Sequence, residues 1–413
     1  MSTAREPIFD DFERTDPTPS QHIESTYEFL NRVAGDYWSH PRQLMQDWLE
    51  RLVGDEDYKD LRQRFRSRDD EQFRSAFLEL YLHESLLRAG YSVTIHPTVA
   101  DSSHRPDFRA ERGGEVLYVE AVAPGASREA KAKAQRRAVL FDSVNRLGDP
   151  NFMLWLERLE EGGRPPAAAR LRKDLRQWLS NLNPDTIADL ESAPTHTWRH
   201  DGWSVTFRAI PKRPEARGVR PNDRAIGVYG HGEASLIDDA PGIVKALVAK
   251  HHVYGDLGAP FVIAVGTYIF DTDRWHSSNA LLGRTGVQFL ETPTGEVHAR
   301  EVREPNGYFG IPPRWGHTNV SGVLLVNQLM PYHVHKSQVT LWRHPGADHP
   351  LPEGLGLPGE SVTVLGNQLS VAPPETEALS FFDLPDPWPP GEPWPSKGSD
   401  AEARQEMATD PGS

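Results

Sequence analysis

Residues 104–122 read HRPDFRAERGGEVLYVEAV, and this stretch decides the fold. Two runs with strand character, 106–110 and 116–122, flank Gly113 and Gly114, a pair suited to the left-handed backbone of a tight hairpin turn. Strand alternation puts Val116, Tyr118, Glu120 and Val122 on one face of the second run. Asp107 opens the first run directly after Pro106. Glu120 stands in an otherwise apolar strand, where a carboxylate is costly to bury without a metal or a cation. Asp107 and Glu120 on adjacent strands can converge on one point, and hard oxygen ligands of this kind suit Mg2+ or Mn2+.

Working outward, the segment 69–90 predicts a helix. Asp69 and Asp70 supply a cap and first-turn acids. Phe73, Ala76, Phe77, Leu80 and Leu87 form one apolar stripe and Leu78, Leu82 and Leu86 another, so neighbours are expected on two sides. Gly90 ends the helix, and a strand follows at 91–96. Glu79 is the helix acid placed to join Asp107 and Glu120. Glu84 competes with it, because it lies within an apolar stripe where a carboxylate must be paired or functional. Downstream, a helix is expected over 127–147 and an apolar strand over 151–156. The order is helix, three strands, helix, strand.

With that order, residues 75–124 resemble the core of the PD-(D/E)XK nuclease superfamily, the restriction-endonuclease-like fold. Pro106-Asp107 matches its motif literally, and Glu120 follows thirteen residues on. Glu79, ahead of Gly90 and Tyr91, is similar to the helix acid of the resolvase-like branch. The resemblance implies that Asp107 and Glu120 bind Mg2+ or Mn2+, with Glu79 as an auxiliary ligand. It implies metal-dependent cleavage of nucleic acid, DNA first. The departure is Val122, which stands where the family has its motif lysine. Lys131 and Lys133 on the helix after the strands, and Lys250 in an expected helix over 241–254, are the candidates to supply the amine. His251, His252 and Tyr254 lie beside Lys250. The alternative implied by the missing lysine is an inactive nuclease-fold module that binds nucleic acid or a protein.

The expected fold class is α/β: a restriction-endonuclease-like core with an N-terminal helical region and a long C-terminal α/β extension. The divisions are an acidic disordered tail over 1–20, helices over 21–68 and the core over 69–270 with an insertion around 160–235. An extension over 271–370 and a disordered, proline-rich acidic tail over 371–413 complete the chain. The 413 residues contain no cysteine, which excludes disulfides, thiolate metal sites and a cysteine nucleophile. No apolar run reaches the roughly 20 residues of a membrane span, and no signal pattern opens the chain, so a cytoplasmic protein without membrane partners is expected. A net charge of −14 argues against general polyanion binding. Local basic runs at 128–137 and 212–224 offer phosphate contacts all the same, and a homodimer is left open.

Overall fold

The computed structural model describes residues 5–100, 102–218, 224–229, 238–291, 297–365 and 368–394. It is a mixed α/β protein that divides into two compact units. The first comprises residues 1–14, 26–125 and 238–413; the second comprises 15–25 and 126–237. No described helix is long and apolar enough to cross a membrane.

The first unit opens with helices α1 (Thr26–Arg32), α2 (Asp36–Glu50), α3 (Asp55–Phe65) and α4 (Asp70–Arg88). Asp69 caps α4 by accepting from the Glu71 N–H at 3.0 Å. Helix α2 begins at Asp36, and Pro41 sits inside it. The proline removes one backbone donor, and the buried stripe of Trp38, Leu44, Met45, Trp48 and Leu49 holds the helix nonetheless. Strands β1 (Ser92–Ile95), β2 (Phe108–Arg112) and β3 (Glu115–Val122) follow as an antiparallel meander. Gly113 and Gly114 have φ of 61° and 87°, the left-handed pair that a two-residue hairpin demands.

The chain then enters the second unit, which contains α5 (Arg128–Asn145), β4 (Phe152–Glu160), α6 (Ala168–Ser180), β5 (Thr195–His200), β6 (Trp203–Pro211) and β7 (Ile226–Tyr229). Its strands form a separate sheet in the order β5-β6-β4-β7. Leu140, Phe141, Val144, Leu154, Leu156, Leu171, Leu175, Trp203 and Phe207 form its own core. The helix and strand expected to complete the nuclease-like core therefore belong elsewhere. The inserted segment starts at Ala126, not around 160, because α5 and β4 bury their apolar residues against α6 and β6.

Back in the first unit, α7 (Ala240–Val248) leads to β8 (Phe261–Thr267), which pairs in parallel with β3. In the first unit the strand beside β3 is therefore β8, and the helix and strand expected over 127–156 do not join this sheet. The chain continues through α8 (Trp275–Leu282), the ribbon β9 (Thr285–Glu291) with β10 (Val297–Arg303), and the short pair β11 (Gly310–Ile311) and β12 (Arg314–Trp315). Strands β13 (Gly322–Asn327), β14 (Gln338–Arg343), β15 (Glu360–Leu365) and β16 (Gln368–Ala372) extend the sheet to the order β1-β2-β3-β8-β13-β14-β15-β16. The C-terminal extension thus adds four strands to the main sheet.

Alternation sorts the two faces of this sheet. Leu117, Val119, Val262, Ala264, Leu324 and Val326 pack with α1–α4, while Ile263, Val265, Val323 and Leu325 pack with residues of α7 and α8. Both expected tails need correction over their described parts. Ile8 is fully buried, and its N–H donates to Gln46 Oε1 at 2.9 Å. At the other end Phe382 packs on Trp48, with ring centroids 5.1 Å apart. Trp388 is buried and donates to the Pro331 carbonyl at 3.1 Å. A few isolated apolar anchors hold these segments where no periodic pattern exists. Residues 1–4 and 395–413 lie outside the described residues, as do 219–223 of the second basic run.

Candidate active site around Glu120

Phe108 pairs with Val119 across the β2–β3 hairpin, so the next position places Asp107 opposite Glu120. The two acids interlock through the backbone. The Asp107 N–H donates to Glu120 Oε2 at 3.3 Å, and the Ala121 N–H donates to Asp107 Oδ2 at 2.7 Å. Glu120 lies on the sheet face that α7 covers, sharing it with Tyr118 and Val122 as alternation requires. Its side chain is only 2 % exposed.

Two groups from the segment after α7 satisfy that carboxylate. Lys250 Nζ donates to Glu120 Oε1, and the Tyr254 hydroxyl donates to Oε2 at 2.6 Å. The expected helix over 241–254 ends at Val248; Lys250 and His251 then fold back with their N–H groups on the Leu247 carbonyl. Tyr254 is held edge-on against Phe261, with centroids 5.7 Å apart. Burial opposes the Lys250 charge, but Glu120, with Asp107 and Glu79 behind it, outweighs burial and holds the ammonium above the ordinary lysine range. Burial first, then the Glu120 charge, push the Tyr254 phenol up, so it remains a donor.

Asp107 carries the electrostatic load of the site. Burial, followed by the charges of Glu120 and Glu79, pushes its carboxyl up to about 8 against the opposing pull of the Ala121 N–H and Lys250. His96 Nδ1 lies 4.0 Å from Asp107 Oδ1. A hollow of about 20 Å³, lined by Asp57, Glu79, His83, His96 and Asp107 among others, adjoins it; that is room for about one water molecule. His83 is buried, its Nδ1 has no partner, and burial with the nearby Arg51 lowers its imidazole to about 4.

The remaining expected site residues are engaged by other partners. Glu79 is engaged by Arg64, whose two terminal nitrogens reach its carboxylate at 2.7 and 2.6 Å. Glu84 is fully buried and bound by Arg51 at 2.6 Å and Arg88 at 2.5 Å, a structural ion cluster inside the helical layer. Lys131 and Lys133 lie on the exposed first half of α5 in the second unit, where Lys133 sits 3.9 Å from Glu161. Of the three lysine candidates, Lys250 is the one joined to Glu120.

Asp107 and Glu120 are two adjacent buried carboxylates whose repulsion raises Asp107, with the Lys250 ammonium on Glu120 offsetting part of that charge. Glu79, occupied by Arg64, stands behind them as a charge. Sequence reading missed Arg64 as the partner of Glu79, since nothing local links residues fifteen positions apart on two helices. It also left His317 unconnected to His251 and His252; their side-chain donor atoms all lie within 4.8 Å of one another. Comparison of this chain with protein-family models, curated proteins and solved structures finds no match.

Proposed function

We propose that this protein is a metal-dependent nuclease that hydrolyses phosphodiester bonds in nucleic acid, with DNA as the expected substrate. The observation that carries the reading is the Lys250 amine on Glu120. A site without the motif lysine at position 122 gains an equivalent amine from the turn after α7. Without that amine, an inactive binding module would be the better reading.

Asp107 and Glu120 would hold Mg2+ or Mn2+, which when bound lowers the pKa of water and offsets charge developing on the phosphate. The protein's own groups have separable roles. Tyr254 and Lys250 fix the rotamer of Glu120, so its carboxylate is oriented before substrate arrives. The Lys250 ammonium, one-third exposed, offers positive charge to a non-bridging phosphate oxygen. Glu79 adds negative charge behind Asp107 while its own oxygens stay on Arg64. In the second unit, the basic first half of α5 would give sequence-independent phosphate contacts of its own.

The test is incubation of purified protein with plasmid and single-stranded DNA in Mg2+ or Mn2+, beside Asp107→Ala and Glu120→Ala. Both variants are expected to lose cleavage. Glu79→Gln is expected to retain part of it. Cleavage kept in both alanine variants would reject the site, and no cleavage by the parent protein with either ion would reject the enzyme.

A further inference from the structure

We propose that His251, His252 and His317 form a second metal site, for one Zn2+ ion, that ties the segment carrying Lys250 and Tyr254 to the loop before β13. The three imidazoles come from two distant stretches of chain, and their donor nitrogens all lie within 4.8 Å of one another. Ring centroids are 3.7 Å apart for His251 and His252 and 4.1 Å for His251 and His317. Three imidazoles without a carboxylate suit zinc and related borderline ions; magnesium and calcium prefer oxygen.

Two features argue that these rings are more than packed side chains. His251 is 3 % exposed, yet its Nε2 has no hydrogen-bond partner. Its Nδ1 lies 3.3 Å from the Leu247 carbonyl. That contact sets the tautomer with the proton on Nδ1 and leaves the Nε2 lone pair free, the arrangement in which a ligating histidine is normally held. His317 has φ of 52°, a left-handed conformation costly for a residue with a side chain, and its ring stacks on Tyr308 with centroids 4.4 Å apart.

Zn–N bonds of about 2.0–2.1 Å put tetrahedral ligand nitrogens about 3.3 Å apart. The separations, 4.8 Å at most, exceed that value by about 1.5 Å or less, so binding would draw the rings together, with the exposed His252 ring the freest to turn. Three protein ligands leave a fourth position for water. Because His251 follows Lys250 directly, an ion here would hold in place the turn that delivers Lys250 and Tyr254 to Glu120.

The test uses the full chain stripped with chelator. Zn2+ binding is measured by calorimetry, and Co2+ is titrated as a visible-absorbing probe. The expected result is one tight equivalent, with tetrahedral Co2+ absorption and a raised melting temperature. His252→Ala, at an exposed position that the fold does not need, and His317→Ala should each weaken binding about 100-fold or more and abolish the melting shift. Asp107→Asn and Glu120→Gln should bind Zn2+ as the parent does, and excess Mg2+ should not displace it. Unchanged affinity in His252→Ala overturns the proposal. So does loss of Zn2+ binding in Asp107→Asn, or no tight equivalent in the parent protein.

Discussion

Lys250→Met tests the Glu120 site most directly, because it removes charge while keeping an unbranched side chain of similar length. In the native protein Glu120 is 2 % exposed and Lys250 33 %. Removing one partner of a fully buried pair costs about 3–5 kcal/mol. Water reaches Lys250, so the cost here should be about 2–3 kcal/mol, less than for a dry pair. The carboxylate left behind keeps only the Tyr254 hydroxyl and the Asp107 N–H. Glu120→Gln combined with Lys250→Met should cost less than the two single changes added, with a coupling of about 1–2 kcal/mol in the double-mutant cycle. Midpoints of urea unfolding at pH 7 measure this. The sign of the pH dependence follows from a folded-state pKa above the ordinary 10.5. The contribution is full below about 10.5 and is lost as pH rises through the still higher folded value. In the cleavage assay Lys250→Met should lose about 10²- to 10⁴-fold, the range for a group that donates charge or protons in the transition state. Additive stability effects would refute the ion pair as described, and parental cleavage by Lys250→Met would refute its part in the chemistry.

Asp107→Asn should raise the unfolding midpoint of the metal-free protein at pH 8–9 while abolishing cleavage. A carboxyl held at about 8 against an ordinary 3.8 favours the folded state when protonated, so parental stability falls as pH climbs from about 4 to about 8. Asparagine removes that slope, and a parental profile that stays flat over this range would contradict the crowding of charge. Arg88→Ala should destabilise by about 2–4 kcal/mol, because Glu84 is fully buried and keeps only the half-exposed Arg51. Cleavage per folded molecule should be unchanged, measured beside thermal unfolding; selective loss of cleavage would return Glu84 to the site.

The local part of the fold was legible because its signals are local. Gly113 and Gly114 mark the hairpin, Asp69 caps α4, and a lone glutamate among β-branched and aliphatic residues marks Glu120. Strand β8 is an apolar run buried at every position, as a central strand covered on both faces requires. What failed was assignment of elements to sheets. A helix followed by an apolar strand reads the same whether it completes one sheet or begins another, so α5 and β4 were placed in the wrong core. Only pairing decides, and the partner of β3 is β8, about 140 residues further along the chain. Pairing of long side chains was equally hidden. Nothing in the spacing of Glu79 distinguishes a metal ligand from an acid engaged by Arg64.

Val122 occupies a position where a lysine would be costly. The residue faces the α7 layer, as alternation predicts, and packs against the apolar cluster built from Ile243, Leu247 and Ile263. An amine rooted there would need that cluster opened around it. Lys250 instead reaches Glu120 from the end of α7, with its backbone N–H tied to Leu247 and its stem outside the core. The apolar surface of the strand is kept, and the charge arrives from a partly exposed root where its desolvation is smaller. This arrangement makes the amine depend on the geometry of the turn, not of the strand. A disturbance of residues 250–254 that leaves β2 and β3 intact should therefore silence the site as completely as loss of Glu120.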